Sequence, residues 1–447
     1  MNIVMIGAGY VGLVSGACFA EIGHTVTCID TDEGKIATLR QGGIPIFEPG
    51  LDALAARGVA AGRLSFATDL AAHVPLADVV FIAVGTPARR GDGHADLTFV
   101  GEAAREIARH VSGFTVIVTK STVPVGTGDW VERLVAQERP DADIAVASNP
   151  EFLREGAAID DFLRPDRIVA GSDDARARAV IEDVYRPITD RGAPLLFTGR
   201  RTSELVKYAA NAFLALKITY INEVASLCEK VEADVRDVAY GIGLDHRIGA
   251  DFLSAGPGYG GSCFPKDTLA LMKTAQDHDS PMRLVEMCVS VNDARKRAMA
   301  RKVMALFGGS IHGMTVAVLG LTFKADTDDM RDSPAIAIVQ ALGDAGAKVR
   351  AYDPQGMAEA RRLIPDIAYA DTAYDAVRGA AACVIVTDWA EFRRLDLKVL
   401  ARLMSGPGLI DLRNIFDDEE VAAAGLVRVG TGMPQPLPLD RHRQAAE

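Results

Sequence analysis

The chain opens with Met1-Asn2-Ile3-Val4-Met5-Ile6-Gly7-Ala8-Gly9-Tyr10-Val11-Gly12. The run Asn2–Ile6 has the apolar, β-branched character of a buried strand, and Val11–Gly23 carries a helix pattern. Between them Gly7, Gly9 and Gly12 form a G-x-G-x-x-G. Such a turn alone has many structural uses. Here it follows a strand, opens a helix, and is answered by Asp30 in Cys28-Ile29-Asp30, at about the 20-residue distance of a ribose-binding acid. The glycines let the backbone approach a pyrophosphate at the positive end of the helix dipole. A carboxylate at Asp30 accepts hydrogen bonds from the adenosine ribose and repels a 2′-phosphate, which favours NAD over NADP.

From this start, strand-like runs alternate with helix patterns. His24–Ile29, Val79–Val84, Thr115–Thr119 and Ile144–Ala147 continue the rhythm, which indicates βαβ units and a parallel sheet. From Thr202 to about Val238 the pattern is helical with neither Pro nor Gly, the length of a spine between two domains. The rhythm restarts at Thr315–Leu319, with a helix through Pro334–Ala345, then Lys348–Tyr352 and Cys383–Val386. The second strand of each half ends on an aspartate, Asp30 or Asp353. The fold class is therefore α/β: two Rossmann-like domains joined by a central helical domain with a long spine helix. The boundaries expected are 1–200 (dinucleotide binding), 201–300 (central helices and cysteine loop), 313–430 (second Rossmann-like domain) and a flexible Pro-rich tail at 431–447.

A length of 447 residues agrees with about three parts at roughly 150 residues each. With 49% apolar and 24% charged residues the chain is of ordinary globular type, and 42 glycines suit many tight turns. A net charge of −12 argues against nucleic acid or an anionic membrane as partner, because the long-range field repels phosphate. The N-terminus lacks a signal-peptide pattern and no stretch approaches a membrane span, so the expected location is cytoplasmic. The six cysteines (Cys18, Cys28, Cys228, Cys263, Cys288, Cys383) contain no CxxC pair, and are read as reduced thiols. No His or Cys cluster has metal-ligand spacing, so no metal is expected.

The most informative segment is Gly256-Pro257-Gly258-Tyr259-Gly260-Gly261-Ser262-Cys263-Phe264-Pro265-Lys266-Asp267. Its glycines make a loop that packs closely against a ligand, and Pro265 suits the first position of a helix. Cys263 then lies at a helix N-terminus, where the dipole and Lys266 favour thiolate, so it reads as a nucleophile and the other five cysteines as buried hydrophobes. Lys207 and Asn211, four residues apart, share a helix face. In most helices such a lysine is simply solvated; beside a thiol and a cofactor it competes for an oxyanion role. A nicotinamide cofactor with a thiol suggests oxidation of an alcohol through aldehyde, thiohemiacetal and thioester to a carboxylate, using two NAD. A two-electron alcohol or hydroxyacid dehydrogenase needs no thiol. A non-catalytic NAD-binding scaffold needs none of Cys263, Lys207 and Asp267.

These motifs, with Gly85-Thr86-Pro87, Ser121-Thr122-Val123-Pro124-Val125-Gly126-Thr127, Asn149-Pro150-Glu151-Phe152-Leu153-Arg154-Glu155-Gly156, Glu204-Leu205-Val206-Lys207-Tyr208, and Phe323-Lys324 through Arg331-Asp332, resemble the UDP-glucose/GDP-mannose dehydrogenase family over about residues 1–430. The resemblance implies Cys263 as nucleophile, Lys207 and Asn211 as stabilisers of the alkoxide or oxyanion, Asp267 for water, and Thr122 and Glu151 in a water network. For NAD it points to Gly7, Gly9, Val11, Gly12, Asp30, Lys35, Thr86, Thr122, Glu155, Lys266 and Arg331. For the sugar nucleotide it points to Glu151, Phe152, Leu153, Glu155, Lys207, Asn211, Phe252, Leu253, Ser254, Ala255, Gly256, Gly260, Lys324 and Arg413. It implies Arg247 reaching across from a partner subunit of a homodimer or higher homo-oligomer. Phe252–Gly256 and Tyr259–Cys263 resemble the UDP-glucose branch, which forms UDP-glucuronate; the GDP-mannose and UDP-N-acetylmannosamine branches stay open. Ala325-Asp326 and Leu412 depart from the pattern, where Pro-Asn and glycine are common. An inward carboxylate at Asp326 would repel a diphosphate, so it is expected to face out.

Overall fold

The computed structural model describes residues 1–87, 89 and 94–439. The chain divides into two compact units, one of Met1–Ala210 with Leu269–Pro281, the other of Asn211–Thr268 with Met282–Glu447. The first holds β1 (Asn2–Ile6), β2 (Thr25–Ile29), β3 (Leu64–Ala67), β4 (Val79–Ile82), β5 (Thr115–Thr119), β6 (Ile144–Ser148), β7 (Ile168–Gly171) and β8 (Leu195–Thr198). Among the described residues these form one sheet in the order β3-β2-β1-β4-β5-β6-β7-β8. Every pairing is parallel except β6 with β7, which meet antiparallel at Ser148 and Gly171.

The second unit holds β9 (Thr315–Leu319), β10 (Lys348–Tyr352), β11 (Ala368–Tyr369), β12 (Ala382–Ile385), β13 (Gly408–Asp411) and β14 (Val427–Gly430). Their order is β11-β10-β9-β12-β13-β14, all parallel. Counting from its own first strand, the second sheet runs 3-2-1-4-5-6, and the first follows the same order before adding β7 and β8; this is the doubly wound Rossmann order that opens a crevice where the winding reverses. The central strands are apolar throughout because helices cover both faces. On β4, Val79 and Phe81 pack to one side with Phe19 and Val118, while Val80 and Ile82 pack to the other with Ile107 and Ile117.

The expected helix from Thr202 to Val238 is broken. One helix covers Arg200–Val231, Glu232 takes a left-handed φ of 59°, and a second helix covers Val235–Gly243. Asp234 caps the second by accepting from the Arg236 amide. With no Gly or Pro at the break, only this capping aspartate marks it. The expected tail starts too early: Thr431 is bonded to Asn414 and Leu412, the Gly432 amide donates to Glu229, and Met433 is buried. Its last part, from residue 440, lies outside the described residues.

Candidate functional site

In the first unit the three glycines of the opening turn have three separate reasons to be glycine. Gly7 has φ 99°, and a Cβ there would stand 2.6 Å from the Ala83 carbonyl oxygen. A Cβ at Gly12 would stand 1.8 Å from the Gly7 oxygen, so the helix packs on its strand only with glycine. A Cβ at Gly9 meets nothing within 4 Å. Gly9 is the N-cap of the helix Tyr10–Glu21, which has no side-chain cap and no acid in its first turn. Open backbone and a helix dipole coincide there, which suits a pyrophosphate. Val11 follows, half-buried, in the first turn.

Asp30 accepts from the Ala8 amide at 2.9 Å, the Asp32 amide at 3.0 Å and Lys35 Nζ at 2.8 Å. Burial raises its pKa, but these donors together outweigh burial and hold the carboxyl below its ordinary value. Asp353, its counterpart in the second unit, is more fully spent. It accepts from the amides of Leu321, Thr322, Gln355 and Gly356, from the Thr322 hydroxyl and from the Trp389 indole. The two aspartates share a strand-end position and a bond to the turn, but Asp353 has become wholly a turn clamp.

The ends of β4, β5 and β6 gather the next group. Thr86 donates to the Thr122 carbonyl at 2.8 Å. Glu151 accepts from the Leu153 amide at 2.6 Å and pairs with Lys207 at 3.1 Å; both side chains are buried. Lys207 also lies 5.3 Å from the centre of the Phe152 ring, which Arg167 stacks upon at 3.8 Å. Glu155 is half-buried in the same loop. Glu48 braces that loop by accepting from the Gly156 and Ala158 amides and from Tyr10 Oη. Glu204, buried, accepts from the Gly126 and Gly128 amides and caps the helix Thr127–Glu138.

Beneath this group lies a residue the sequence reading missed. Lys120 is buried, with Nζ 3.1 Å from Asn149 Oδ1, 3.2 Å from Tyr185 Oη, and about 6 Å from the rings of Phe81, Phe162 and Tyr185. Burial pushes its pKa down to about 8, against the opposing pull of Glu151. Its signal was position: it directly follows the wholly buried β5.

In the second unit Cys263 is half-buried whereas the other five cysteines of the chain are buried. It is the N-cap of the helix Phe264–Asp277, because its carbonyl accepts the Asp267 amide at 2.8 Å. Pro265 is thus second, not first, in the helix, where its missing N–H is still harmless. Asp267 is fully buried and accepts from Asn211 Nδ2 and Lys266 Nζ, each at 2.6 Å. Asn211 stands one turn beyond Lys207 in the helix Arg200–Val231.

The loop before Cys263 meets the residues after β9 and β13. A Cβ at Gly256 would stand 3.3 Å from Arg413 Nη1, one at Gly260 2.3 Å from the Asp332 oxygen, and one at Gly261 2.7 Å from the Phe323 ring. Arg413 donates to the Phe323 carbonyl at 3.0 Å, Lys324 Nζ lies 5.7 Å from the Phe323 ring centre, and the Gly261 amide donates to the Arg331 carbonyl. Gly256, Gly260, Lys324, Arg331 and Arg413 are therefore brought together at the carboxyl ends of this sheet. The Arg331 guanidinium itself is bound by Asp329. Phe252 has a left-handed φ of 64° and its ring lies 6.1 Å from that of Phe264, while Leu253 is buried with Ile221 and Ala225, Ser254 is exposed and Ala255 half-buried. Arg247 is 78% exposed and paired with Asp245. Asp326 is exposed, with φ 61°, and Leu412 buries its side chain in the core.

A pyridine-nucleotide turn on one Rossmann sheet, and a cysteine loop gathered over the strand ends of another, define an NAD-dependent oxidoreductase with a separate nucleotide-binding domain for its substrate. The UDP-glucose/GDP-mannose dehydrogenase family is matched in chain order by its NAD binding domain at residues 1–189, its central domain at 201–294 and its UDP binding domain at 317–418. The chain belongs to this family. It is 66% identical to the UDP-glucose 6-dehydrogenase of Rhizobium meliloti (strain 1021), over 97% of this chain and 100% of that one. Among solved structures it is similar to a UDP-glucose dehydrogenase from the hyperthermophilic archaeon Pyrobaculum islandicum. There the TM-score is 0.89 and the identity 38%, covering 97% of this chain and 98% of the other. A UDP-D-ManNAc dehydrogenase from Pyrococcus horikoshii gives a TM-score of 0.84 at 26% identity, covering 97% and 99%. Among the described residues no helix is long and apolar enough to cross a membrane.

Proposed function

We propose that the protein oxidises UDP-glucose to UDP-glucuronate in two NAD-dependent steps through a thioester on Cys263. The observation that carries the reading is the half-buried Cys263 thiol at a helix N-terminus, in a loop pressed against Arg413 and Phe323. The 66% identity with a UDP-glucose 6-dehydrogenase supports UDP-glucose over its GDP-mannose and UDP-N-acetylmannosamine alternatives. NAD, when bound, would supply the hydride acceptor for each oxidation. Gly7–Gly12 and Val11 would hold the pyrophosphate, and Asp30 with Lys35 the ribose. Thr86, Thr122, Glu155, Lys266 and Arg331 complete the cofactor contacts.

In the first oxidation the substrate alcohol loses a proton as it becomes an aldehyde, with Lys207 and Asn211 stabilising the developing alkoxide. The Cys263 thiolate then adds to the aldehyde carbon, and oxidation of that thiohemiacetal leaves a thioester. Water positioned by Asp267, Thr122 and Glu151 attacks the thioester carbon, releasing the carboxylate and restoring the thiol. The sum is alcohol plus two NAD⁺ plus water to carboxylate, two NADH and three protons. Glu151, Phe152, Leu153, Phe252, Leu253, Ser254, Ala255, Gly256, Gly260, Lys324 and Arg413 hold the sugar nucleotide, with Arg247 supplied by a second copy.

The active form is a homodimer or a higher homo-oligomer. Phe213, Tyr220 and Leu227 stand at seven-residue spacing on the spine helix and are exposed, as are Val231, Tyr240 and Leu244; a stripe this apolar supports a helix-to-helix interface. Six free thiols support a cytoplasmic location.

NADH counted per substrate consumed tests the reading with UDP-glucose, GDP-mannose and UDP-N-acetylmannosamine in parallel. Two NADH from UDP-glucose, and little from the others, is the expected result. One NADH per substrate would mean a two-electron dehydrogenase.

A further inference from the structure

The helix Arg283–Leu306 presents Asn292, Arg295 and Lys296 on one face, and all three are buried. Charged residues are almost never this buried unless they are paired. Among the described residues the hydrogen bonds of these two cations and of Asn292 go mainly to main-chain atoms, half of them to the cysteine loop, and Lys296 Nζ also lies 3.8 Å from Asp293 Oδ1. Asn292 grips one residue from both sides: Oδ1 accepts the Tyr259 amide at 2.8 Å and Nδ2 donates to the Tyr259 carbonyl at 3.1 Å. Gly256 is gripped likewise. Its amide donates to Asn222 Oδ1 at 2.9 Å and its carbonyl accepts Arg295 Nε at 2.7 Å. Arg295 Nη1 reaches the Asn222 carbonyl at 2.8 Å, which closes the ring of contacts, while Nη2 is buried without a hydrogen-bond partner among the described residues.

The glycines of the loop fit this arrangement. A Cβ at Gly258 would stand 2.8 Å from Asn292 Oδ1. Lys296 Nζ donates to the Asp332 carbonyl, the same oxygen that leaves no room for a Cβ at Gly260. A fold needing only stability would fill this space with apolar side chains, since replacing a buried polar network by hydrophobes of like volume is often neutral or stabilising. What the polar set adds is a fixed orientation for two peptides just ahead of Cys263.

We infer that Asn292 and Arg295 are positioning residues that hold the cysteine loop in the shape in which Cys263 meets the sugar nucleotide. They act through Tyr259 and Gly256. The inference rests on the proposed role of Cys263.

The test uses the full-length protein and the variants Arg295→Met, Arg295→Lys and Asn292→Ser, with thermal melting as the check on folding. Losing a charged hydrogen bond to Gly256 is expected to raise the KM for UDP-glucose about tenfold in Arg295→Met while the KM for NAD stays within about twofold. Cys263, the one cysteine not buried, is expected to be alkylated by iodoacetamide about fivefold faster, read by mass spectrometry, as the loop loosens. Arg295→Lys keeps a charged donor and is expected to recover at least half of both effects. Folded Arg295→Met and Asn292→Ser proteins with wild-type alkylation and wild-type KM would overturn the inference. So would failure of every variant to fold, because the network would then serve the fold and not the loop. If the wild-type protein gives no NADH from UDP-glucose the proposed function falls, and the alkylation rates still decide the clamp.

Discussion

Lys207 Nζ lies 3.1 Å from Glu151 Oε1, and the two side chains are 3% and 5% exposed. The pair fastens the loop after β6 to the first turns of the spine helix. Glu151 uses its other oxygen on the Leu153 amide, so its charge is shared between a helix and the loop it begins. A buried pair of this kind contributes little to net stability but makes either partner costly to remove alone.

Glu151→Gln is therefore expected to lower unfolding free energy by about 3 kcal/mol, because the buried Lys207 loses the ion pair it makes with Glu151. Lys207→Met is expected to cost a similar amount for the converse reason. The double variant should be more stable than the sum of the two losses predicts, and should have no measurable turnover. Denaturant unfolding of the four proteins checks this; strict additivity would mean that the two charges do not interact.

Lys120 makes a prediction in pH. Burial puts its pKa at about 8, below the ordinary 10.5, so the unfolded chain holds this proton more tightly than the folded one. The penalty for burying the charge is present below pH 8 and is relieved as pH rises from about 8 to 10.5. Stability due to this group therefore increases with pH across that window. Lys120→Met lacks the titration. Its stability relative to wild type is expected to be highest at pH 7 and to fall by roughly 3 kcal/mol by pH 10.5. Urea unfolding of both proteins at the two pH values measures it, and a pH-independent difference would show that Lys120 does not titrate in this range.

The opening glycines separate folding from cofactor binding. Gly9→Ala places its methyl in open space at an ordinary backbone angle, so the protein should melt as wild type while its KM for NAD rises about tenfold or more, through lost approach of the pyrophosphate. Gly12→Ala drives a methyl into the Gly7 carbonyl and should destabilise the unit by about 1–3 kcal/mol. Equal melting temperatures for the two variants would contradict the assignment.

How much of this was legible in the sequence follows the same physics. β1, β5, β9 and β10 were read with their observed bounds, because buried parallel strands are continuous apolar runs ended by Gly, Asp or polar turns. The edge and near-edge strands β3, β7, β8, β11, β13 and β14 leave no readable pattern; they are two to four residues long, too short for a periodic signal. The His24 and Val84 ends were overextended, since β-propensity does not say where pairing stops. Cys263, Lys207 and Asn211 were legible through their neighbours in the chain. Lys120, Glu48, Asn292 and Arg295 were not, because each acts on residues far from it in sequence. The likeness of Asp30 and Asp353 was visible as a strand-end aspartate, but only the fold reveals that the second is consumed by its own turn.

Arg247 allows the oligomer and the site to be tested together. It is 78% exposed and bound to Asp245 of its own chain, in the same unit as the exposed stripe Phe213, Tyr220 and Leu227. If Arg247 serves the site of a second copy, a Cys263→Ala subunit carries an intact arginine that its partner lacks. Arg247→Ala and Cys263→Ala proteins should each have low turnover alone. Coexpressed and purified through two different tags, their hybrids should regain activity, because the chain with an intact thiol receives Arg247 from the other. In a two-fold hybrid dimer one of the two sites then has both groups, so the purified hybrids would regain about half of the wild-type sites. An arginine acting on its own chain restores none, since every hybrid site then lacks either the thiol or the guanidinium. NADH formation by the hybrids, set against the two parent variants at equal concentration, distinguishes these outcomes.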